Sequence, residues 1–120
     1  DHRLDRADRA NPKLAERYDW LSPAILRFLR RVLREAKQHK VPVAMCGEMG
    51  GRTLEAMALI GIGIRRLSIT PVAIGPIKAM IRSLDRSALM PAMEEMLAKP
   101  PENLRAALSE WAEKNAVVIG

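Results

Sequence analysis

Residues 41–51 read Val-Pro-Val-Ala-Met-Cys-Gly-Glu-Met-Gly-Gly. The first five, Val41–Met45, form an apolar run too short for a helix and without the polar alternation of a half-exposed strand. A strand covered on both faces reads this way, and such strands belong to parallel sheets. Pro42 lacks an N–H and is tolerated only because it lies at the strand's start. Three glycines then fall within Cys46–Gly51, a loop whose backbone can approach a ligand closely. A helix is expected from about Arg52 to Ile60, stopped by Gly61 and Gly63.

Working outward, Ser22-Pro23 opens a helix on the amino-terminal side, with serine as cap and proline at the first helical position. It should run to about Lys40. On the carboxyl-terminal side, Arg65–Thr70 is a second candidate strand, and Pro71 opens a helix to about Ser83. Two more amphipathic helices are expected near Ser87–Ala98 and Glu102–Asn115, parted by Lys99-Pro100-Pro101. Strand, helix and parallel strand make a right-handed crossover unit, the building block of α/β folds. Two strands do not make a stable parallel sheet alone, and a complete (βα)8 barrel needs about 250 residues. The chain therefore reads as part of a larger α/β domain, mostly helical with two short parallel strands. Residues 1–10 are charged and aperiodic, 11–84 hold the strand–helix units and 85–120 the terminal helices. A simple, well-packed monomer is not expected, since a two-stranded sheet leaves both edges open.

In 120 residues, 48% hydrophobic and 28% charged, a disordered tail is excluded. Aromatics are 3%, so the core must be aliphatic and methionine-filled; Met80, Met90, Met93 and Met96 fall at helical spacings. Trp20 and Trp111 are expected as packing anchors. A single cysteine excludes an internal disulfide framework. No apolar run approaches the roughly 20 residues of a membrane helix, and a cytoplasmic location is expected, with no membrane partner.

The formal charge of +6 raises a nucleic-acid reading. Much of it lies in Arg27, Arg30, Arg31, Arg34, Lys37 and Lys40. Ile25, Leu29, Val32 and Ala36 recur at helical spacing, widened by Phe28 and Leu33, which places the arginines on the opposite, solvated face. Nucleic-acid binding also needs groups that reach or stack on bases. No aromatic interleaves with the arginine row, and a nucleic-acid partner is not expected. His2 and His39 read as solvated side chains.

Cys46 ends a strand and begins a glycine loop, the edge where α/β folds gather ligands and catalytic groups. Residue type and position leave two roles open. The thiol is either a nucleophile or proton donor, or a small buried hydrophobe.

The segments Tyr18–Pro23 (YDWLSP), Val43–Gly51 (VAMCGEMGG) and Leu67–Arg82 (LSITPVAIGPIKAMIR) together resemble the carboxyl-terminal end of enzyme I of the phosphotransferase system, in its nitrogen-related branch. The Met-Cys-Gly-Glu element alone is shared with pyruvate phosphate dikinase and phosphoenolpyruvate synthase. The resemblance covers roughly Asp8 onward. It implies the last two strand–helix units of a phosphoenolpyruvate-binding TIM-like barrel and a phosphoryl transfer from phosphoenolpyruvate to a protein histidine. It implies that Cys46 protonates the enolate, that Arg9 in Asp8-Arg9-Ala10-Asn11 contacts substrate phosphate, and that Gly47 and Glu48 shape the motif loop. Mg2+ is the implied cofactor, with no ligand in this chain. The implied partners are a phosphocarrier protein and either a second copy or the rest of the barrel. Residues 1–7 depart from the family pattern, and its Asn-Asp pair, a Mg2+ ligand, falls before residue 1. The histidine domain, the other phosphate arginines and the second magnesium carboxylate are not matched either. An isolated chain is therefore not expected to turn over. The alternatives are a non-catalytic dimerisation module and a basic nucleic-acid adaptor.

Overall fold

A computed structural model describes residues 19–46 and 52–120, with Cys46 described by its backbone. The expectations for residues 1–10 and for the glycine loop lie outside the described residues. The element order is α1 (Pro23–Gln38), β1 (Met45–Cys46), α2 (Thr53–Ile62), β2 (Leu67–Ser68), α3 (Pro71–Ser83), α4 (Arg86–Ala98) and α5 (Leu104–Lys114). β1 and β2 pair in parallel, Met45 opposite Leu67 and Cys46 opposite Ser68. The expected succession of elements is present, and the chain is mostly helical.

The helix starts follow the local chemistry. Ser22 Oγ accepts from the Ile25 N–H at 3.2 Å, Asp85 Oδ1 from the Ser87 N–H at 3.0 Å, and Asn103 Oδ1 from the Ala106 N–H at 3.0 Å. Each satisfies a donor that the first helical turn leaves unpaired. Three helix ends close alike: the N–H donors of Val41, Ile64 and Val117 bond to the carbonyls of Ala36, Leu59 and Ala112 at 2.8, 3.0 and 2.9 Å. The residue before each bond donor adopts positive φ: Lys40 at 57°, Gly63 at 115° and Ala116 at 56°.

This closure corrects the first strand. Val41 spends its N–H on the end of α1, and Pro42 has none to give. Pairing thus begins only at Met45, whose N–H donates to the Arg66 carbonyl at 3.1 Å. Val41 is 55% exposed and Pro42 and Ala44 are exposed too, so the run is not covered on both faces. The second strand is likewise shorter than Arg65–Thr70.

α2 is the centre of the molecule. Every residue from Leu54 to Ile62 is buried, as befits a helix apolar on all sides. It packs against α1, α3, α4 and α5. Leu89, Met93 and Leu97 of α4, spaced by four, face it as one stripe. Gly61 does not stop α2 but lies inside it, and Gly63 is the terminator. The reason is a close approach: a Cβ at Gly61 would stand 3.1 Å from Met93 Cε and 3.2 Å from Leu89 Cγ. Gly61→Val should therefore destabilise by about 1–3 kcal/mol through overpacking, read as a lower urea midpoint at unchanged m value. An unchanged midpoint would mean that α2 and α4 are not this close.

α1 sits in a different phase from the one its sequence suggests. Leu26 is fully buried, with Leu29 and Leu33 packed on the core, whereas Phe28 is 63% and Val32 40% exposed. The arginine row is correspondingly not all solvated. Arg27 Nε donates to the Leu97 carbonyl at 3.0 Å, and Arg30 and Arg34 reach the Glu94 carboxylate at 2.9 and 3.2 Å. Lys37, His39 and Lys40 are exposed. Of the methionines, Met80 and Met93 fill the core and Met96 packs on its edge, while Met90 is 37% exposed. Trp111 packs against the core; Trp20 is 41% exposed.

Candidate functional site at the carboxyl edge of the strands

Because β1 and β2 are parallel, their carboxyl ends share one edge, marked by Cys46 and, across the ladder, Ser68. The chain leaves β1 at Cys46 and re-enters the described structure at Arg52, the extended N-cap of α2. Cys46 and the amino terminus of the central helix thus flank the loop as the sequence requires. Arg9, Gly47 and Glu48 lie outside the described residues.

At the head of α2 stands a group that the motif reading passes over. Glu55 is 2% exposed, the buried charged residue in an otherwise apolar helix. Its Oε1 accepts from Arg105 Nη1 at 3.2 Å and its Oε2 from Arg52 Nη1 at 3.4 Å. Arg105 continues to Asp19, with Nη2 to Oδ1 at 2.8 Å and Nε to Oδ2 at 3.1 Å. Asp19 Oδ1 also accepts from the Leu21 N–H at 3.0 Å. The hydrogen bonds from Arg105 hold the Asp19 carboxyl below the usual carboxylate range, and the same carboxylate raises the Arg105 guanidinium. A carboxylate in the first helical turn also meets the positive end of the helix dipole.

The network ties together three distant segments: the entry to α1, the head of α2 and the first turn of α5. The carboxyl-terminal tail adds to the clamp. Thr53 Oγ1 donates to the Ile119 carbonyl, and the Val118 N–H donates to Ser83 Oγ at 2.8 Å. The helix that receives the glycine loop is therefore held at its first turn from several sides. The sequence signal for this clamp is a lone carboxylate in TLEAMALIGI; its partners lie 50 residues away at Arg105 and, through it, at Asp19.

Among the described residues, no group of three His, Cys, Asp or Glu side chains is placed to hold a metal ion. Among the same residues, no helix is long and apolar enough to cross a membrane.

The chain is similar to known proteins along nearly its whole length. A phosphoenolpyruvate-protein phosphotransferase of Cupriavidus necator is 38% identical over 110 residues, 91% of this chain and 18% of that protein. A protein of Escherichia coli named phosphoenolpyruvate-dependent phosphotransferase system is 35% identical over 117 residues, 94% of this chain and 16% of its own. A multiphosphoryl transfer protein of Xanthomonas campestris is 39% identical over 100 residues, 82% of this chain and 12% of its own. The chain thus spans less than a fifth of the length of these relatives. The family profile described as PEP-utilising enzyme, PEP-binding domain, matches residues 6–86. That match covers more than half of the sequence and takes in the strand end, the glycine loop and the head of α2; the chain belongs to the PEP-utilising enzyme family, as part of its PEP-binding domain.

Proposed function

We propose that this chain forms part of a phosphoenolpyruvate-protein phosphotransferase, supplying the carboxyl edge of its last two strand–helix units. In the complete enzyme, phosphoenolpyruvate gives up its phosphoryl group to a protein histidine, leaving enolpyruvate. The Cys46 thiol then donates its proton to the enolate carbon, yielding pyruvate and a thiolate that regains a proton from solvent. A thiol with an ordinary pKa near 8.5 is protonated at neutral pH and still able to release. Arg9, with its permanent charge and forked donors, is assigned to the substrate phosphate. Gly47 and Glu48 are assigned to the loop between Cys46 and α2, and Mg2+ to ligands in the rest of the enzyme.

The observation that carries this reading is the position of Cys46. It is the last residue of a strand whose parallel neighbour ends alongside it, immediately before the glycine loop that leads to the central helix. The order β1–α2–β2–α3 supports a barrel fragment. So do the apolar side chains left outside: Val72 is 92%, Phe28 63% and Ile81 46% exposed, surfaces that further barrel units would cover. A phosphocarrier protein as acceptor, and a cytoplasmic setting, follow from the same reading.

The test is complementation in vitro. Alone, the 120-residue chain should release no pyruvate from phosphoenolpyruvate, Mg2+ and a phosphocarrier. Covalently continued by the barrel and histidine domain of its full-length relative, it should restore release. Turnover by the isolated chain, or a continued chain that folds without turnover, would contradict the assignment.

A further inference from the structure

The opposite edge of the same sheet carries a cluster of charge that the proposed reaction does not use. Residues immediately before the strands, Val41–Val43 before β1 and Arg65–Arg66 before β2, line a cleft of about 550 Å³ with the second half of α1, the end of α2 and the Arg86–Met90–Glu94 side of α4. Parallel strands place these segments at the amino edge, across the sheet from Cys46. The volume falls within the range of small-molecule sites, about 300–1,000 Å³.

Six cationic side chains line the cleft: Arg30, Arg34, Lys37, Arg65, Arg66 and Arg86, against the single carboxylate of Glu94. Glu94 is already shared by Arg30 and Arg34 at 2.9 and 3.2 Å. Among the described residues, no ion pair engages Lys37, Arg65, Arg66 or Arg86. Arg86 is the sharpest case: its Nε is buried without a hydrogen-bond partner, and its Nη2 reaches only the Met90 sulfur, at 4.0 Å. A buried donor on a charged group is costly to leave unpaired. Like charges gathered in one concavity repel each other unless an anion joins them. The remaining wall is apolar, with Leu33, Val43, Ile62 and Met90.

We propose that this cleft is a binding site for a small organic phosphate, its phosphate or pyrophosphate group held by Arg65, Arg66 and Arg86 and its apolar body against Leu33 and Ile62. Guanidinium forks match phosphate oxygens in charge and geometry. Seated there, the ligand bridges α1, both strand entries and α4. It is separated from the carboxyl edge by the sheet, and so is distinct from the phosphoenolpyruvate site assigned above.

Pyrophosphate and ADP, each titrated into the chain in chelator and 0.1 M salt (about a 10 Å screening length), test the proposal. One ligand per chain is expected, with ADP the tighter. Amide shifts should appear at Ile62, Arg65 and Arg66, without shifts at Arg52 and Thr53 at the carboxyl edge. Arg65→Glu and, separately, Arg86→Gln should weaken binding at least about tenfold, equivalent to about 1.4 kcal/mol. The matched control Arg82→Glu, an exposed cation of α3 outside the cleft, should change it less than about twofold, the bound for a screened charge beyond contact. No saturable binding, equal weakening by Arg82→Glu, or shifts confined to the carboxyl edge would each overturn the site. Either cleft variant can be checked for folding by its melt, and the other keeps the test open if one fails.

Discussion

Replacing Cys46 by alanine in the complete enzyme should lower pyruvate formation by about 10²–10⁴, the usual worth of a positioned general acid. The loss should fall on kcat, because a thiol that donates only to the enolate carbon contributes little to substrate binding. In the proposed reaction phosphoryl transfer to the histidine comes before protonation, so a single turnover should still phosphorylate the enzyme. Enolpyruvate released unprotonated would ketonise slowly in solvent and leave a small residual rate. The melting transition should stay in place, since Cys46 ends a two-residue strand and the buried core is built chiefly by the helices. Turnover within about tenfold of the parent would mean that the proton comes from elsewhere.

The second large effect is on stability. Arg105→Ala removes the group that joins Glu55 to Asp19 and leaves a carboxylate 2% exposed with Arg52 alone, 3.4 Å away and mostly in solvent. Breaking a buried pair from one side costs about 3–5 kcal/mol. The residual partner and the partial exposure of Arg105 bring the expected loss to about 2–3 kcal/mol. For a domain of this size that is a fall of roughly 10 °C in Tm. The pair Glu55→Leu with Arg105→Leu should recover most of it, because an apolar replacement leaves no buried charge behind. Acid titration gives a second readout. Asp19 is held below its ordinary value by Arg105, so its contribution is present above the unfolded carboxyl value near 4 and lost as pH falls through the lower folded value. Arg105→Ala should flatten that acid limb. A Tm within 2 °C of the parent, well under the shift of about 1 kcal/mol, would show that the clamp carries no load.

The same comparison shows which features local sequence can encode. Ser22-Pro23 marks a helix start by its cap and its proline, and Pro71 by its fixed φ alone, because both act within a few residues. The strand end at Cys46 is legible for a similar reason, as the change from apolar run to glycines is contiguous. The phase of α1 is not. Ile25, Leu29 and Leu33 of the expected stripe do pack on the core, but the stripe is centred on Leu26, which leaves Val32 and Phe28 outside. That rotation depends on partners about sixty residues away, among them Glu94, which Arg30 and Arg34 reach across to α4. Val41–Met45 misleads by its composition, because the end of α1 claims the Val41 N–H before a ladder can form. Gly61 reads as a breaker although its missing side chain serves packing against Leu89 and Met93. The clamp at the head of α2 is nearly invisible from sequence, since a buried carboxylate announces itself only by the apolar residues around it.

That the thiol at the end of β1 delivers the proton is tested most directly by the stereochemistry of the product. Phosphoenolpyruvate bearing tritium at one vinylic position, turned over in deuterated water, should give pyruvate whose methyl group is chiral with a single sense. A donor fixed on one side of the enolate adds its proton to one face only. With Cys46→Ala the chirality should vanish, as free enolpyruvate is protonated from both faces. Chiral pyruvate of the same sense from the alanine variant would contradict the assignment and place the proton donor on another residue.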